Sequence, residues 1–415
     1  MISGITRKTG IIGSALRTTL NRAQIQREYC FYPKVYISEC SLFKPQFVRK
    51  YSRKSCSDRQ AHQCVLFQKV SDETNLVQCN CCERRCRIKD QSAGYCRIRY
   101  NDRGNLFLSV YGYPCALQID PIEKKPLFHF LPGTRSFSIG TFGCNYRCSF
   151  CQNWSISQPL NVSCNQPNIA GLVLQSRGSQ EYFSPQAIVA LALENHCSSI
   201  AFTYNEPTTW GEYAHDIAEE AHKKGLKCIY VSNGSMTEEH LEFIKSSIDA
   251  MNIDLKAWNP DFYRKVCAGD IEVVKRNIRR IWEMGIWLEV TTLLIPGKND
   301  SDMEIGSIAH FLADISPAIP WHISAFHPDF RMKDIGNTPV TRMKFAYDVG
   351  RDAGLKYVYL GNIKCAHCED TICPQCHKKV IQRNCFHVQL PTDSTISGVC
   401  PSCGTKIDGI WQQQL

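Results

Sequence analysis

The sequence predicts an α/β fold, a partial (β/α)6-type barrel with a small Cys-rich N-terminal segment and a C-terminal zinc ribbon. Three observations predict it. From Ser136 onward, strand-like and helix-like stretches alternate, which is the pattern of parallel βα units. Gly225, Gly285 and Gly354 end the three clearest helical patterns, where a glycine lets the chain leave the helix. The 24 cysteines fall in groups with metal-ligand spacing rather than in the pattern of a secreted disulfide framework.

Residues 1–65 read as leader and linker. Residues 1–60 hold 12 Lys and Arg against 3 Asp and Glu, an excess equal to the +9 of the whole chain. The rest is balanced at 36 of each sign, so the charge gives no support for a nucleic-acid surface on the folded body. No acidic residue precedes Glu28, and Ile11 to Arg27 suits an amphipathic helix carrying Arg17, Arg22 and Arg27. Arg49-Lys50-Tyr51-Ser52 resembles a mitochondrial processing context. The expectation is a transit peptide to the mitochondrion or a mitochondrion-related organelle, with the cytoplasm as the alternative. No apolar run approaches the length of a membrane span.

Residues 70–130 form a Cys-rich N-terminal domain. Cys79, Cys82, Cys86 and Cys96 offer four thiolates for zinc or an auxiliary iron–sulfur cluster. Zinc is the first expectation, because closed four-thiolate sites commonly hold small, core-poor segments together. Leu106 to Tyr111 predicts a short strand, and Asp120-Pro-Ile-Glu-Lys-Lys-Pro126 leads into the barrel at residues 135–362. Its expected strands are 136–141, 199–204, 227–232, 250–255, 287–294, 321–326 and 356–360. Expected helices include 207–224, 261–284 and 341–353.

In such barrels the reacting groups lie at the C-terminal ends of the strands. The loop after the first strand reads Gly143-Cys-Asn-Tyr-Arg-Cys-Ser-Phe-Cys-Gln-Asn153, a C-x3-C-x2-C spacing. Thiolates from Cys144, Cys148 and Cys151 suit three irons of a cubane [4Fe–4S] cluster and leave the fourth open. Zinc fits less well, since it takes four tetrahedral ligands, often in C-x2-C pairs. Two such pairs, Cys373-Pro-Gln-Cys376 and Cys400-Pro-Ser-Cys403, do occur in residues 370–411. They predict a structural zinc site, with a rubredoxin-like iron as the alternative. Val380–Ile381 and His387–Leu390 are its expected strands. The ribbon should pack on the barrel and help cover the pocket. Cys197, Cys228 and Cys267 read as ordinary buried residues.

The triad loop resembles that of the radical S-adenosylmethionine (SAM) superfamily, in which the open iron chelates the SAM amino and carboxylate groups. The resemblance extends to the strand ends. Tyr204-Asn205-Glu206-Pro207 stands where that family has a Gly-Gly-Glu-Pro-like turn that holds the SAM amino group. Ser232-Asn233-Gly234 and Asp254-Leu255-Lys256 resemble the Thr-Asn-Gly and Asp-Leu-Lys of glycyl-radical activating enzymes. The resemblance implies Lys256 at the SAM carboxylate, Asp254 and His327 near the ribose, and Phe150 against the adenine.

From Cys79 to Trp411 the chain is similar to the radical SAM enzymes of the AmmeMemoRadiSam system, relatives of pyruvate formate-lyase activating enzyme. The matching residues include the Cys79–Cys96 quartet, Asp120–Pro126, Cys151-Gln-Asn-Trp-Ser-Ile-Ser-Gln158, Trp321-His322 and Cys400-Pro-Ser-Cys-Gly404. The departures are Cys81, Glu83 and the extra pair Cys365 and Cys368. The resemblance implies an oxidoreductase or activating-type enzyme that cleaves SAM reductively to a 5′-deoxyadenosyl radical, for hydrogen abstraction from an unidentified substrate. It implies an external electron donor, and Memo-like and AMMECR-family proteins or another protein substrate as partners. The alternatives are a glycyl-radical enzyme activase and, in another class, a zinc-ribbon binding module with an inactive SAM domain. No catalytic residue is assigned beyond the cofactor ligands.

Overall fold

The computed structural model describes residues 62–158, 181–365, 367–389 and 398–411. The expected leader lies outside the described residues, apart from its last few positions. Two small antiparallel sheets make the N-terminal domain. One is built from β1 (His62–Gln63), β5 (Arg99–Asp102) and β6 (Asn105–Leu108), and the other from β2 (Phe67–Ser71), β3 (Leu76–Cys79) and β4 (Arg87–Ile88).

The central sheet has eight strands in sequential order: β7 (Ala116–Pro121), β8 (Arg135–Gly140), β9 (Ser199–Phe202), β10 (Lys227–Ser232), β11 (Ala250–Asp254), β12 (Trp287–Leu294), β13 (Trp321–Ala325) and β14 (Val358–Gly361). β8 to β14 are parallel, and β7 adds to β8 as an antiparallel edge. The helices α1 (Pro185–Glu194), α2 (Gly211–His222), α3 (Glu238–Ile244), α4 (Ile271–Glu283), α5 (Asp302–Ile315) and α6 (Val340–Asp352) fill the crossovers. This is the expected partial barrel. The β7 edge is an addition, because Ala116–Pro121 is too short and too mixed to separate from a linker by pattern. Among the described residues, no helix is long and apolar enough to cross a membrane.

The expected helix 261–284 is broken. A turn at Pro260–Phe262 runs into a π-helical turn at Tyr263–Cys267, Ala268 takes a left-handed conformation (φ 56°), and α4 starts afresh behind the cap of Asp270, whose carboxylate accepts from Glu272 N. Packing against the triad loop explains the break. A Cβ on Gly269 would collide with the Tyr146 ring. The carbonyls of Val266 and Cys267 accept from Ser149 N and Arg147 N at 3.0 and 2.8 Å.

The ribbon strands β15 (Thr371–Ile372), β16 (Lys379–Asn384) and β17 (His387–Gln389) form one sheet. Tyr357, Tyr359, Phe128, Ile381 and Ile407 bury a shared apolar cluster between ribbon and barrel. The ribbon therefore packs on the barrel as expected, but at the N-terminal ends of the strands. Phe128 to Leu131 lie under the openings of β10, β11 and β12, and Ile410 packs beside them. Phe128 N and His129 N donate to the buried Glu289 carboxylate at 2.9 and 2.8 Å, and His322 Nε2 pairs with it at 2.6 Å. Arg383 of β16 donates to the Phe128 carbonyl at 2.7 Å. The ribbon closes the barrel floor, and the expectation that it covers the pocket is corrected.

Candidate cluster and cofactor site

β8 ends at Gly140 and delivers the triad loop to the C-terminal face. Asn205 clamps the start of that loop: its amide donates to the Phe142 and Gly143 carbonyls at 3.3 and 2.8 Å, and its oxygen accepts from Thr141 N at 3.0 Å. Arg147 folds back onto the Cys144 carbonyl at 2.7 Å. Cys148 is buried, while Cys144 and Cys151 are half-buried. Tyr146 N donates to Cys144 Sγ at 3.3 Å, and the Ser157 hydroxyl lies 3.1 Å from Cys151 Sγ.

Burial raises the Cys144 thiol well above its ordinary range and takes Cys151 up to about 11. A hydrogen bond with Cys267, and then burial, raises Cys148. Protein surroundings alone therefore leave these thiols neutral, and a bound cation is needed to hold them as thiolates. Three sulfurs on one loop, one accepting from a backbone N–H and another beside a hydroxyl, fit a cluster with one open iron. Cys267 was read from sequence as an ordinary buried residue. It touches the triad instead, and only the broken helix, which no spacing signals, puts it there.

The other expected SAM contacts lie on the same face, and several touch the triad loop. Lys256 Nζ pairs with Asp254 Oδ2 at 2.7 Å and stands 5.7 Å from the centre of the Phe150 ring. Burial opposes the lysine charge, but the Asp254 carboxylate beside it holds its pKa above the usual value. Phe150 is buried and lies 6.0 Å from Phe262. The Gln152 amide lies 2.8 Å from His327 Nε2, which brings His327 beside Cys151.

Glu206 is 3% exposed, and its carboxylate is engaged within the protein. It accepts from Asn233 N and Ser232 Oγ at 2.7 Å each and from Thr208 Oγ1 at 2.6 Å. Asn233 then reaches Asn145 Oδ1 at 2.8 Å. Glu206 thus fixes the Ser232–Gly234 turn and, through Asn233, the triad loop.

The ribbon sulfurs of Cys373, Cys376, Cys400 and Cys403 all lie within 4.8 Å of one another. Cys373–Cys403 and Cys376–Cys400 are each 3.6 Å apart, close to the roughly 3.8 Å edge of a tetrahedron with zinc–sulfur bonds of about 2.3 Å. The donor set fits zinc. The extra pair Cys365 and Cys368 stands paired as a disulfide. Cys81 turns away from the quartet, its thiol donating to the Thr208 carbonyl at 2.6 Å. Glu83 pairs with Arg276 at 2.6 Å.

Residues 138–305 match the family model described as Radical SAM superfamily. The uncharacterized protein MJ0808 of Methanocaldococcus jannaschii is 38% identical over 347 residues, covering 83% of this chain and 98% of that protein. MJ0674 of the same organism, also uncharacterized, is 23% identical over 222 residues, 51% of this chain and 56% of that protein. A solved domain of pyruvate-formate lyase-activating enzyme from Bacteroides vulgatus is 21% identical with a TM-score of 0.36, covering 40% of this chain and 99% of that one. With the triad loop at the head of the parallel sheet and the family model spanning β8 to α5, the chain belongs to the radical SAM superfamily, an enzyme family that implies SAM and an iron–sulfur cluster.

Proposed function

We propose that this chain generates a 5′-deoxyadenosyl radical at a cluster held by Cys144, Cys148 and Cys151, and directs it at a hydrogen atom of a substrate. The observation that carries the reading is the convergence on the triad loop of Lys256 with Asp254 from the end of β11 and of His327 from the end of β13. When bound, the cluster and SAM supply one-electron cleavage of the C5′–S bond. The protein's part is to bind, orient and exclude water. Lys256 offers a cation for the SAM carboxylate, and Asp254 holds that cation in place. His327, fixed by Gln152, offers a polar contact for the ribose. Phe150 supplies an apolar wall beside the last cysteine. Glu206 and Asn205 position the turns around the cluster, and the floor at Phe128–Leu131 seals the far end of the barrel.

The same reading extends to the AmmeMemoRadiSam resemblance. The target is a protein or a small molecule handled with Memo-like and AMMECR-family partners, and reducing equivalents come from an external donor. Asp254-Leu255-Lys256 equally supports a glycyl-radical activase. The basic leader supports delivery to the mitochondrion or a related organelle. A reporter fused to residues 1–60 should travel there, and a cytosolic reporter refutes that part.

The test of the chemistry is anaerobic reconstitution, addition of SAM and dithionite, and detection of methionine and 5′-deoxyadenosine. A fully loaded chain that releases neither defeats the reading. Deuterium transfer into 5′-deoxyadenosine from labelled cell extract then identifies the substrate.

A further inference from the structure

We propose that Cys79, Cys82, Cys86 and Cys96 hold a second iron–sulfur cluster of the [4Fe–4S] type, and not the zinc ion that their spacing first suggests.

The sulfur positions carry the argument. A single zinc ion draws four thiolates to the edges of a small tetrahedron, and the ribbon sulfurs already stand that way. Among the described residues, the ribbon supplies the one cysteine group whose sulfurs close to within 4.8 Å. All four quartet residues are described, yet no three of their sulfurs close to that distance. A cubane binds each thiolate at a different iron, so its ligands stand farther apart than those of one ion. The triad is spread in the same way.

The four cysteines also converge on one site, since all of them line the same cavity. Cys79, Cys82 and Cys96 are buried, which suits an inorganic core shielded from water. Cys81 borders the cavity, but its thiol is engaged by Thr208, so four ligands remain.

The site also backs onto the first one. A Cβ on Gly143 would lie 2.5 Å from the Cys96 carbonyl oxygen, so the loop preceding Cys144 needs glycine there (φ 87°) to lie against the quartet. Asn145 lines the quartet cavity, and its carbonyl accepts from Arg84 at 2.5 Å. The two cysteine loops are in direct contact.

The test uses the anaerobically reconstituted full chain, with iron, sulfide and zinc measured per chain and the reduced protein examined by EPR. The wild type should carry roughly eight irons and one zinc. Four irons and two zincs overturn the proposal. A second arm replaces the triad together (Cys144→Ala, Cys148→Ala, Cys151→Ala). About half the iron should remain, with a [4Fe–4S] signal that SAM does not alter. Adding Cys82→Ser and Cys86→Ser should remove that iron while the ribbon keeps its zinc, which reports a folded chain. A triad variant that keeps its ribbon zinc but binds no iron overturns the proposal.

Discussion

The ribbon and the triad loop both present cysteines, but the two regions are built in opposite ways. In the ribbon, four sulfurs from two knuckles already surround a point. In the triad loop, three sulfurs hang from one segment whose shape is set by neighbours: Asn205, the carbonyls of Val266 and Cys267, and the Asn145–Asn233–Glu206 chain. A metal held there would be the core of the ribbon, so losing it would mean losing the fold of that unit. The triad loop is held by protein contacts, so it should keep its shape when empty.

That contrast is easiest to break at the triad. Cys148→Ala should abolish 5′-deoxyadenosine release and the effect of SAM on the cluster spectrum, while ribbon zinc and thermal stability stay near wild type. A large drop in melting temperature would show that the loop depends on its metal as the ribbon does. Next is the ribbon itself. Cys400→Ser should lose one zinc and more than ~4 kcal/mol of stability, in the range of metal loss, and leave the iron spectrum unchanged. Loss of the iron signal would make the C-terminal cysteines cluster ligands.

The floor that joins ribbon and barrel predicts an acid sensitivity. Burial lowers His129 to about 4 from an ordinary 6.5. Asp408 O lies 2.6 Å from its Nδ1, so that nitrogen carries the proton and Nε2 accepts from Tyr359 at 2.6 Å, as a neutral imidazole. The unfolded chain therefore binds a proton below pH 6.5 that the native chain refuses. This contribution is intact above about pH 6.5 and is lost as pH falls toward 4, by about 3 kcal/mol at most. Unfolding titrations of the wild type and of His129→Gln between pH 7 and 4 should diverge by that amount, and parallel curves would remove His129 from the account. The smallest effect is expected at the cofactor end. Lys256→Met should weaken SAM binding by ~30-fold, about 2 kcal/mol, without changing iron content, as read by equilibrium binding to the loaded protein. Unchanged affinity would move the SAM carboxylate away from Lys256.

Much of this was legible in the sequence because period and punctuation encode it. The strands at 227–232 and 287–294 are read to the residue, and Gly225, Gly285 and Gly354 lie just beyond α2, α4 and α6. The triad and the knuckles follow from spacing alone. Other features were not legible, because they come from tertiary contact. The break before α4 depends on Tyr146, more than a hundred residues earlier. Cys267 gains its place beside Cys148 from that break. The hydrogen bonds by which Glu206 also braces the Ser232–Gly234 turn are of the same kind. The ribbon's location under the barrel could not be read from the short linker after β14, which permits either end.

The floor also concerns how the protein is made. Phe130 bridges to Ile410, Leu131 N donates to the Ile410 carbonyl at 2.8 Å, and Ile410 N donates to the His129 carbonyl at 2.8 Å. The base of the barrel is thus completed by residues that leave the ribosome about 280 positions after the segment they secure. A nascent chain can assemble all seven parallel strands and still have an open underside. A product truncated before the second knuckle would expose the apolar surface of Leu127, Phe130 and Trp287. Proteases and chaperones would then recognise it as unfinished.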